Sequence, residues 1–580
     1  MDKNDLIRDL AIIGDRRTAA LLDRRSDLLW YCPGRFDNPS LFAALIDPEG
    51  GSWRIRGHAR PLGRAYLGDS AILQTVLAVD GGEMTITDFM TAGTGAPTGL
   101  LCRLFSAPPH DVEFVVEPRP DYARRPVRLE RSGDAVVIDD RQHLYASAPL
   151  AIADDGVTCT LPKGREGWAI LADNKMAEPG RIDIEGWLEA TLEHWRRLSS
   201  RSSYAGPYER EVRQSLRALR LLTHDASGGV IAAATTSLPE VPGGSANWDY
   251  RFVWLRDAGM IVSALTRLDS DFSEGGRYLD FICSSRGVSL DYPVPVFTTL
   301  DQKLAPEEEV LDLAGHLGSR PVRVGNDARD QLQLDAFGNV LLAAKLIYQR
   351  TEERPHWVTV EEIAEFLVEH WRDPDHGIWE ETAKLQYTAS KVIAACALDS
   401  IAEYSQDEGQ ARRWRETVQD IRDFVARRCL TSSGAFAVAA GSEQIDVSAA
   451  LFPIWAFVAA DAPEMLATMA ELEREWSWEG LLYWRRLQNA DSSKEGAFLA
   501  GTFWVAQYWV MRGDLHRSRR ILDAALRYAN DLGLFAEEAD PRQQRMLGNF
   551  PQAFVHAAFM GAVIDLRTAL QAQSDHAKEE

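Results

Sequence analysis

From the N-terminus to about residue 190 the apolar positions fall in short β-branched or aromatic runs that stop at Asp, Gly and Pro. LLWYC, SLFAALI, SWRIRGHARP, ILQTVLAV, EMTITDFMT, VEFVVEPRP, VRLERSG, AVVIDD, LYASAPLAI and VTCTL read as strands, with DPEGG and DGGE as turns between them. The series predicts a large antiparallel β-sandwich over residues 1–183. Residues 184–207 read as a helical linker, with its helix at roughly Ile184–Ser199. From about Tyr208 the apolar period becomes helical. About twelve segments fit it: 208–224, 251–268, 274–285, 330–350, 357–371, 387–403, 407–429, 445–459, 463–474, 494–512, 515–531 and 551–571. The loops between them differ greatly in length, and several carry Trp, Glu, Asp and Gly just ahead of a helix. Such loops on a rigid scaffold are where sites usually sit. Twelve helices are enough to pair into an all-α (α/α)6 barrel, a six-hairpin toroid over residues 208–580, with a pocket at one end.

A hydrophobic content of 46% and a charged content of 26% are ordinary for a globular chain, and 580 residues allow several domains. Charge changes the picture more. A net charge of -23 and a pI near 5.1 argue against nucleic acid or an anionic membrane as partner, and for a neutral or cationic substrate. The six cysteines lie far apart, without zinc spacing, and read as buried free thiols. No uninterrupted apolar run approaches the ~20 residues of a membrane span, and the charged start MDKNDLIRDLAIIGDRRTAA lacks a signal-peptide core, so cytoplasmic residence is expected. There is no HExxH, no Walker A and no GxSxG before a helix, and the GTG of TAGTGAP is a turn. No metal and no cofactor is expected. Homo-oligomerisation is left open.

Three junctions in the helical half carry the candidate chemistry. Asn247–Asp257, NWDYRFVWLRD, sets Trp248, Tyr250, Phe252 and Trp254 among two acids and two arginines. Aromatic faces beside charged hydrogen-bonding groups suit a sugar ring. His376–Glu381, HGIWEE, places Glu380 next to Trp379, and Leu532–Asp540, LGLFAEEAD, places Glu537 two residues after Phe535. A carboxyl against an aromatic wall is desolvated and becomes a general acid near neutrality. A second, ionised carboxylate across a pocket activates water, and the pair performs glycoside hydrolysis. On spacing alone Glu381 and Glu538 are as eligible as their neighbours, and each glutamate taken singly is an ordinary loop residue. In Gly318–Gly338, GSRPVRVGNDARDQLQLDAFG, the residues Gln331, Gln333, Asp335 and Phe337 begin a helix whose polar end can face a sugar or simply cap a surface helix.

These strings, with IGDRRTAALLDRRSDLLWYCPGRFDNPSLFAALI, TITDFM, TTSLPEVPGGSANWDYRFVWLRDAG, EGAFLAGTFW and NDLGLFAEEADPRQQRMLGNFPQAF, resemble glycoside hydrolase family fifteen, the glucoamylases, glucodextranases and bacterial-type trehalases. The likeness runs in family order along nearly the whole chain. It implies a β-sandwich, a linker and a catalytic (α/α)6 barrel that removes terminal glucose from an α-glucoside (trehalose, maltodextrin or an isomalto-linked glucan) with inversion, releasing β-glucose. By motif match Glu380 looks like the general acid and Glu537 like the general base. Arg256 and Asp257 look like the grip on the terminal glucose. Trp254 and Trp379 are similar in place to the pocket's aromatic lining, with Glu381 and Glu538 beside the catalytic pair. The N-terminal loop with Arg35, Phe36 and Asp37 is implied to approach the pocket. The chain departs from the family at WYCPGRFD, at Asn339 and over Leu290–Leu317, all of which bear on acceptor choice. Two other readings compete. A disaccharide phosphorylase shares this layout but needs a phosphate site where Glu537 stands, and a non-catalytic glucan-binding protein has no use for both acids.

Overall fold

The computed structural model describes residues 6–153, 156–176, 182–269, 273–485 and 495–579. Two antiparallel sheets form the N-terminal part. From edge to edge, the 7-stranded sheet runs Ala11–Gly14, Ala19–Leu22, Leu28–Tyr31, Ser52–Ile55, Val112–Glu117, Gly156–Leu161, Leu150–Ala153. The 8-stranded sheet runs Leu129–Ser132, Ala135–Ile138, Gln142–Ala146, Gly167–Ala172, Leu100–Phe105, Gly82–Met90, Leu73–Val79, Arg60–Tyr66. Their inner faces meet at Trp53, Phe105 and Phe114, with the two phenylalanines stacked at 5.7 Å. Inside this apolar layer Arg103 is fully buried. It bonds Asp88 at 2.7 Å and Ser26 Oγ at 3.0 Å, and lies 5.0 Å over Trp53.

Sequence and structure part company at a few strands. SLFAALI, between Pro39 and Pro48, runs as turns with one bridge, Tyr31 to Phe42. Ala11–Gly14, Ala19–Leu22, Leu100–Phe105 and Gly167–Ala172 are strands that the polar alternation did not flag. The first two are buried along their whole length, so no alternation is there to see. The first packs on the helical half, where a Cβ at Gly14 would stand 3.1 Å from Leu221.

The helices are α1 (Ile184–Ser199), α2 (Glu209–Leu222), α3 (Leu255–Leu268), α4 (Ser273–Ser284), α5 (Leu334–Thr351), α6 (Trp357–His370), α7 (Thr388–Ala402), α8 (Glu408–Arg428), α9 (Leu451–Ile454), α10 (Pro463–Glu475), α11 (Leu499–Met511), α12 (Leu515–Leu526) and α13 (Ala553–Glu579). The odd-numbered helices from α3 to α13 form the inner ring, closed where α13 packs on α3, and the even-numbered ones from α2 to α12 lie outside them. The protein is therefore a β-sandwich followed by an (α/α)6 barrel. Residue pattern explains the layering. α7 and α11 are buried almost all round, whereas α8 buries only Ala411, Trp414, Thr417, Val418, Ile421 and Val425, the spacing of one helical face. α8 starts where the Asp407 side chain accepts from the Gly409 and Gln410 amides.

The segment expected at 445–459 holds only a 3-10 turn, Val447–Ala450, and the single turn of α9. Pro453 withholds an amide there, and Ala456 at φ 64° ends the run. α13 is long and apolar enough to cross a membrane over Ala553–His576, which corrects the expectation that no such segment exists. In this fold it is an inner-ring helix, mostly buried. All six cysteines are buried and free. The sandwich sits directly on the barrel, with Trp30 Nε1 donating to the Ala234 carbonyl at 2.9 Å and Arg251 to the Asn38 carbonyl at 3.0 Å.

Candidate active site

A cavity of about 500 Å3 opens at the N-terminal ends of the inner helices. Arg256 enters it from the first turn of α3, Gln331 from just before α5, Trp379, Glu380 and Glu381 from the loop before α7, Phe498 from just before α11, and Gln552 and Phe554 from the start of α13. Trp248, Tyr250, Trp254 and Glu537 complete the wall that matters below. The volume lies within the usual range for a small-molecule site.

Glu537 is 3% exposed. Its Oε1 accepts from the Tyr250 hydroxyl at 2.9 Å, and its Oε2 has no partner. Burial and the neighbouring Glu240 push its carboxyl up to about 8, against the pull of Arg485 and of the Tyr250 hydrogen bond. Gly548, at φ 80°, lets the chain pass behind it, because a Cβ there would stand 2.8 Å from both the Glu537 Cβ and Oε2. Glu380 is aimed by an uncommon backbone, φ 56° at a non-glycine residue. Its Oε1 meets Arg256 Nη1 at 2.7 Å, and the same nitrogen bonds the Ile378 carbonyl at 3.1 Å. Burial works against the Arg256 charge, but Glu380, Asp257 and Asp335 more than offset it. Beside Glu380, Trp379 is held by Asp446 at 2.6 Å and stacks on Trp504 at 6.0 Å. Trp254 stacks on Phe297 at 4.6 Å.

The residues singled out from sequence are thus brought together unevenly. Glu380, Glu381, Glu537, Arg256, Trp254 and Trp379 all line the cavity. Asp257 and Glu538 do not line it. Asp257 is 2% exposed behind Arg256, 3.2 Å from its Nε, and burial raises its carboxyl to about 6 against the pull of that guanidinium. Glu538 is fully buried, accepts from the Gly496 amide at 3.0 Å and is raised well above its usual range by burial and Glu495. Of Gln331, Gln333, Asp335 and Phe337 only Gln331 reaches the cavity, beside Arg323, Asn326, Asp327 and Ala328 of the same stretch. Gln333 stands behind it, donating to Gln331 at 3.0 Å, Asp335 is fully buried, and Phe337 packs on Phe366 at 5.0 Å. Arg35, Phe36 and Asp37 are absent from the lining among the described residues: Arg35 pairs with Asp37, and with Asp301 at 3.4 Å.

Sequence reasoning missed Tyr250 as a carboxylate partner, and it missed Glu240 and Arg485 altogether. Arg485 bridges Glu240 and Glu495 and comes within 3.8 Å of Glu538. The ligand atoms of Glu240, Glu495 and Glu538 lie within 4.8 Å of one another, a spacing that would suit a cation, but the Arg485 guanidinium already serves as their counter-charge. No local pattern marks these residues, since Glu240 sits in LPEVPGG and Arg485 in YWRRLQ, strings with no recognisable chemistry of their own.

A closed ring of paired helices with two loop-borne glutamates, a guanidinium and tryptophans in one cavity defines a glycosidase of the (α/α)6 type. The comparisons with known proteins agree. The family model for glycosyl hydrolases family 15 matches residues 206–520 and 515–563, and a trehalase-like N-terminal model matches residues 2–170. The chain belongs to glycosyl hydrolases family 15 and is a glycoside hydrolase, which sets aside the phosphorylase and the non-catalytic reading. It is 30% identical to a trehalase of Mycolicibacterium smegmatis over 96% of this chain and 91% of that one. It is 33% identical to a trehalase of Thermoplasma acidophilum over 93% and 97%. Its fold matches a bacterial glucoamylase solved with acarbose, with a TM-score of 0.72 at 12% identity over 98% of this chain and 96% of that one.

Proposed function

We propose that the protein hydrolyses α,α-trehalose by inversion, with Glu380 as general acid and Glu537 as general base. One observation carries the proposal: Glu380 and Glu537 line the same cavity, and the Tyr250 hydroxyl fixes Oε1 of Glu537 at 2.9 Å. A base that aligns water must be held in place, which the Tyr250 hydrogen bond does. One glucosyl unit enters against Trp254 and Trp379, and Arg256 turns from Glu380 to its hydroxyls. Glu380, released from Arg256, takes up a proton from solvent and gives it to the bridging oxygen as the bond to C1 breaks. Glu537 takes a proton from the water that attacks C1 from the opposite face. Inversion of this kind needs the carboxyls about 6.5–9.5 Å apart. Asp257 and Glu538 act from behind the wall, Asp257 by orienting Arg256, while Glu381 stands at the rim. Residues 1–183 serve as the sandwich domain, 184–207 as linker and 208–580 as catalytic barrel. The choice of trehalose over maltodextrin or isomalto-linked glucan is supported by the names of the relatives above and by the match of the N-terminal half to the trehalase-like model. Rates of glucose release from trehalose, maltose, maltotriose and isomaltose test it: trehalose is expected to lead, and a preference for any of the others overturns the assignment.

A further inference from the structure

The cavity that holds the two glutamates has a deep end and an open end. Trp254, Phe498, Glu537 and Phe554 are buried, at 2–4% exposure. At the other end Trp248, Asp327 and Thr382 are exposed, and Glu308, Arg323 and Gln331 are half-buried. The local backbone explains how one short stretch reaches both ends. Residues 247–251 run extended, bridged to Thr236 at Asp249. The Trp248 carbonyl accepts from the Ser237 amide at 2.9 Å, and the Tyr250 carbonyl from the Ala233 amide at 2.9 Å. Alternate side chains therefore take opposite faces. Asp249 and Arg251 turn away and pair at 2.7 Å, whereas Trp248 and Tyr250 face the cavity. Tyr250 is bonded to Glu537, so Trp248 stands two residues, about 7 Å, further out. That step is comparable to the distance from one sugar ring to the next.

Trp248 is 36% exposed, an apolar face turned to water at the cavity mouth. It is nonetheless firmly placed. The Arg323 guanidinium lies 4.4 Å over its ring. The same guanidinium donates to the Ser245 and Asn247 carbonyls at 2.8 and 3.0 Å, and pairs with Glu308 at 2.7 Å. Glu308 is anchored in turn, its amide donating to Asp327 Oδ1 at 2.9 Å. Segments distant in sequence are thus locked into one shelf. A fixed indole offers a sugar its stacking face, and carboxylates beside it accept from hydroxyls. A shelf already held by these contacts loses little further freedom when a ligand lands on it.

We propose that Trp248, Arg323 and Glu308 seat the leaving glucose, and that this seat decides which α-glucosides are cut. The proposal rests on the hydrolytic reading of Glu380 and Glu537. The second ring lies on the Trp248 face that Arg323 leaves open, with its hydroxyls towards Glu308 and Asp327. The test compares a substrate that fills the seat with one that does not. α-Glucosyl fluoride carries the inner glucose alone, since fluoride is its leaving group. Values of kcat/KM are measured on trehalose and on α-glucosyl fluoride for the unaltered protein, Trp248→Ala, Trp248→Tyr and Glu308→Gln. In Trp248→Ala and Glu308→Gln the ratio of trehalose to fluoride is expected to fall about 10- to 100-fold. Trp248→Tyr keeps a ring on the shelf and should hold the ratio within about 3-fold. An unchanged ratio in Trp248→Ala or Glu308→Gln, whether both rates hold or both fall together, overturns the proposal. So does a ratio in Trp248→Tyr as low as in Trp248→Ala. If the unaltered protein prefers maltose to trehalose, the choice of trehalose falls, and the ratio taken with maltose tests the seat in the same way.

Discussion

Gly548→Ala is the sharpest perturbation of the proposed base, because it touches Glu537 without changing its chemistry. The new Cβ would sit 2.8 Å from the Glu537 Cβ and 2.8 Å from Oε2. Carbon atoms prefer about 3.5–4.0 Å, so relief requires a shift of about 1 Å. A displacement of that size at a reacting group costs on the order of 100-fold in rate. The substitution also places a side chain at φ 80°, which costs about 1–2 kcal/mol in stability. Gly513→Ala separates the two effects, for Gly513 has φ 76° and nothing within 4 Å of its would-be Cβ. Both variants should lose the stability that the positive φ costs, and Gly548→Ala somewhat more through its contact with Glu537. Only Gly548→Ala should lose kcat on trehalose, by about 100-fold. Equal kcat in the two variants would refute the claim that Glu537 must be held in place.

Other expectations concern charge and packing. In Glu240→Gln the carboxylate that raises Glu537 is gone and Arg485 is freed towards it. The ionised form of Glu537 is then favoured at lower pH, so the acidic limb of kcat/KM should move to lower pH than in the unaltered protein; an upward or absent shift counts against Glu537 as base. Tyr250→Phe keeps the ring and removes the 2.9 Å hydrogen bond, and should lower kcat about 10- to 100-fold with little change in KM; a change confined to KM would contradict the role. Arg103→Met leaves Asp88 buried without its cation and should cost about 3–5 kcal/mol in denaturant unfolding, while the folded fraction keeps its specific activity; an unchanged midpoint would contradict the burial.

The helical half was legible because each helix repeats one face to the core, as in α8, and the unequal loops announced where chemistry sits. The inner ring was harder. α11 and the first half of α13 are apolar nearly all round, so periodicity gave their existence but not their place. The sandwich was half legible, since strands buried along their whole length, such as Ala11–Gly14, show no alternation. In the cavity, the two glutamates, Arg256 and the tryptophans stood out because aromatic and charged residues adjoin in sequence. Tyr250, Glu240 and Arg485 did not, since each acquires its role only when segments hundreds of residues apart meet around Glu537.

The most direct measurement is the proton NMR spectrum of the anomeric region during the first minutes of trehalose hydrolysis, before mutarotation. Attack of water by inversion makes β-glucose from the unit held in the cavity and releases the other as α-glucose. Equal α and β signals are expected at the earliest times. α-Glucose alone would mean retention through a covalent intermediate, and would contradict a base acting through water.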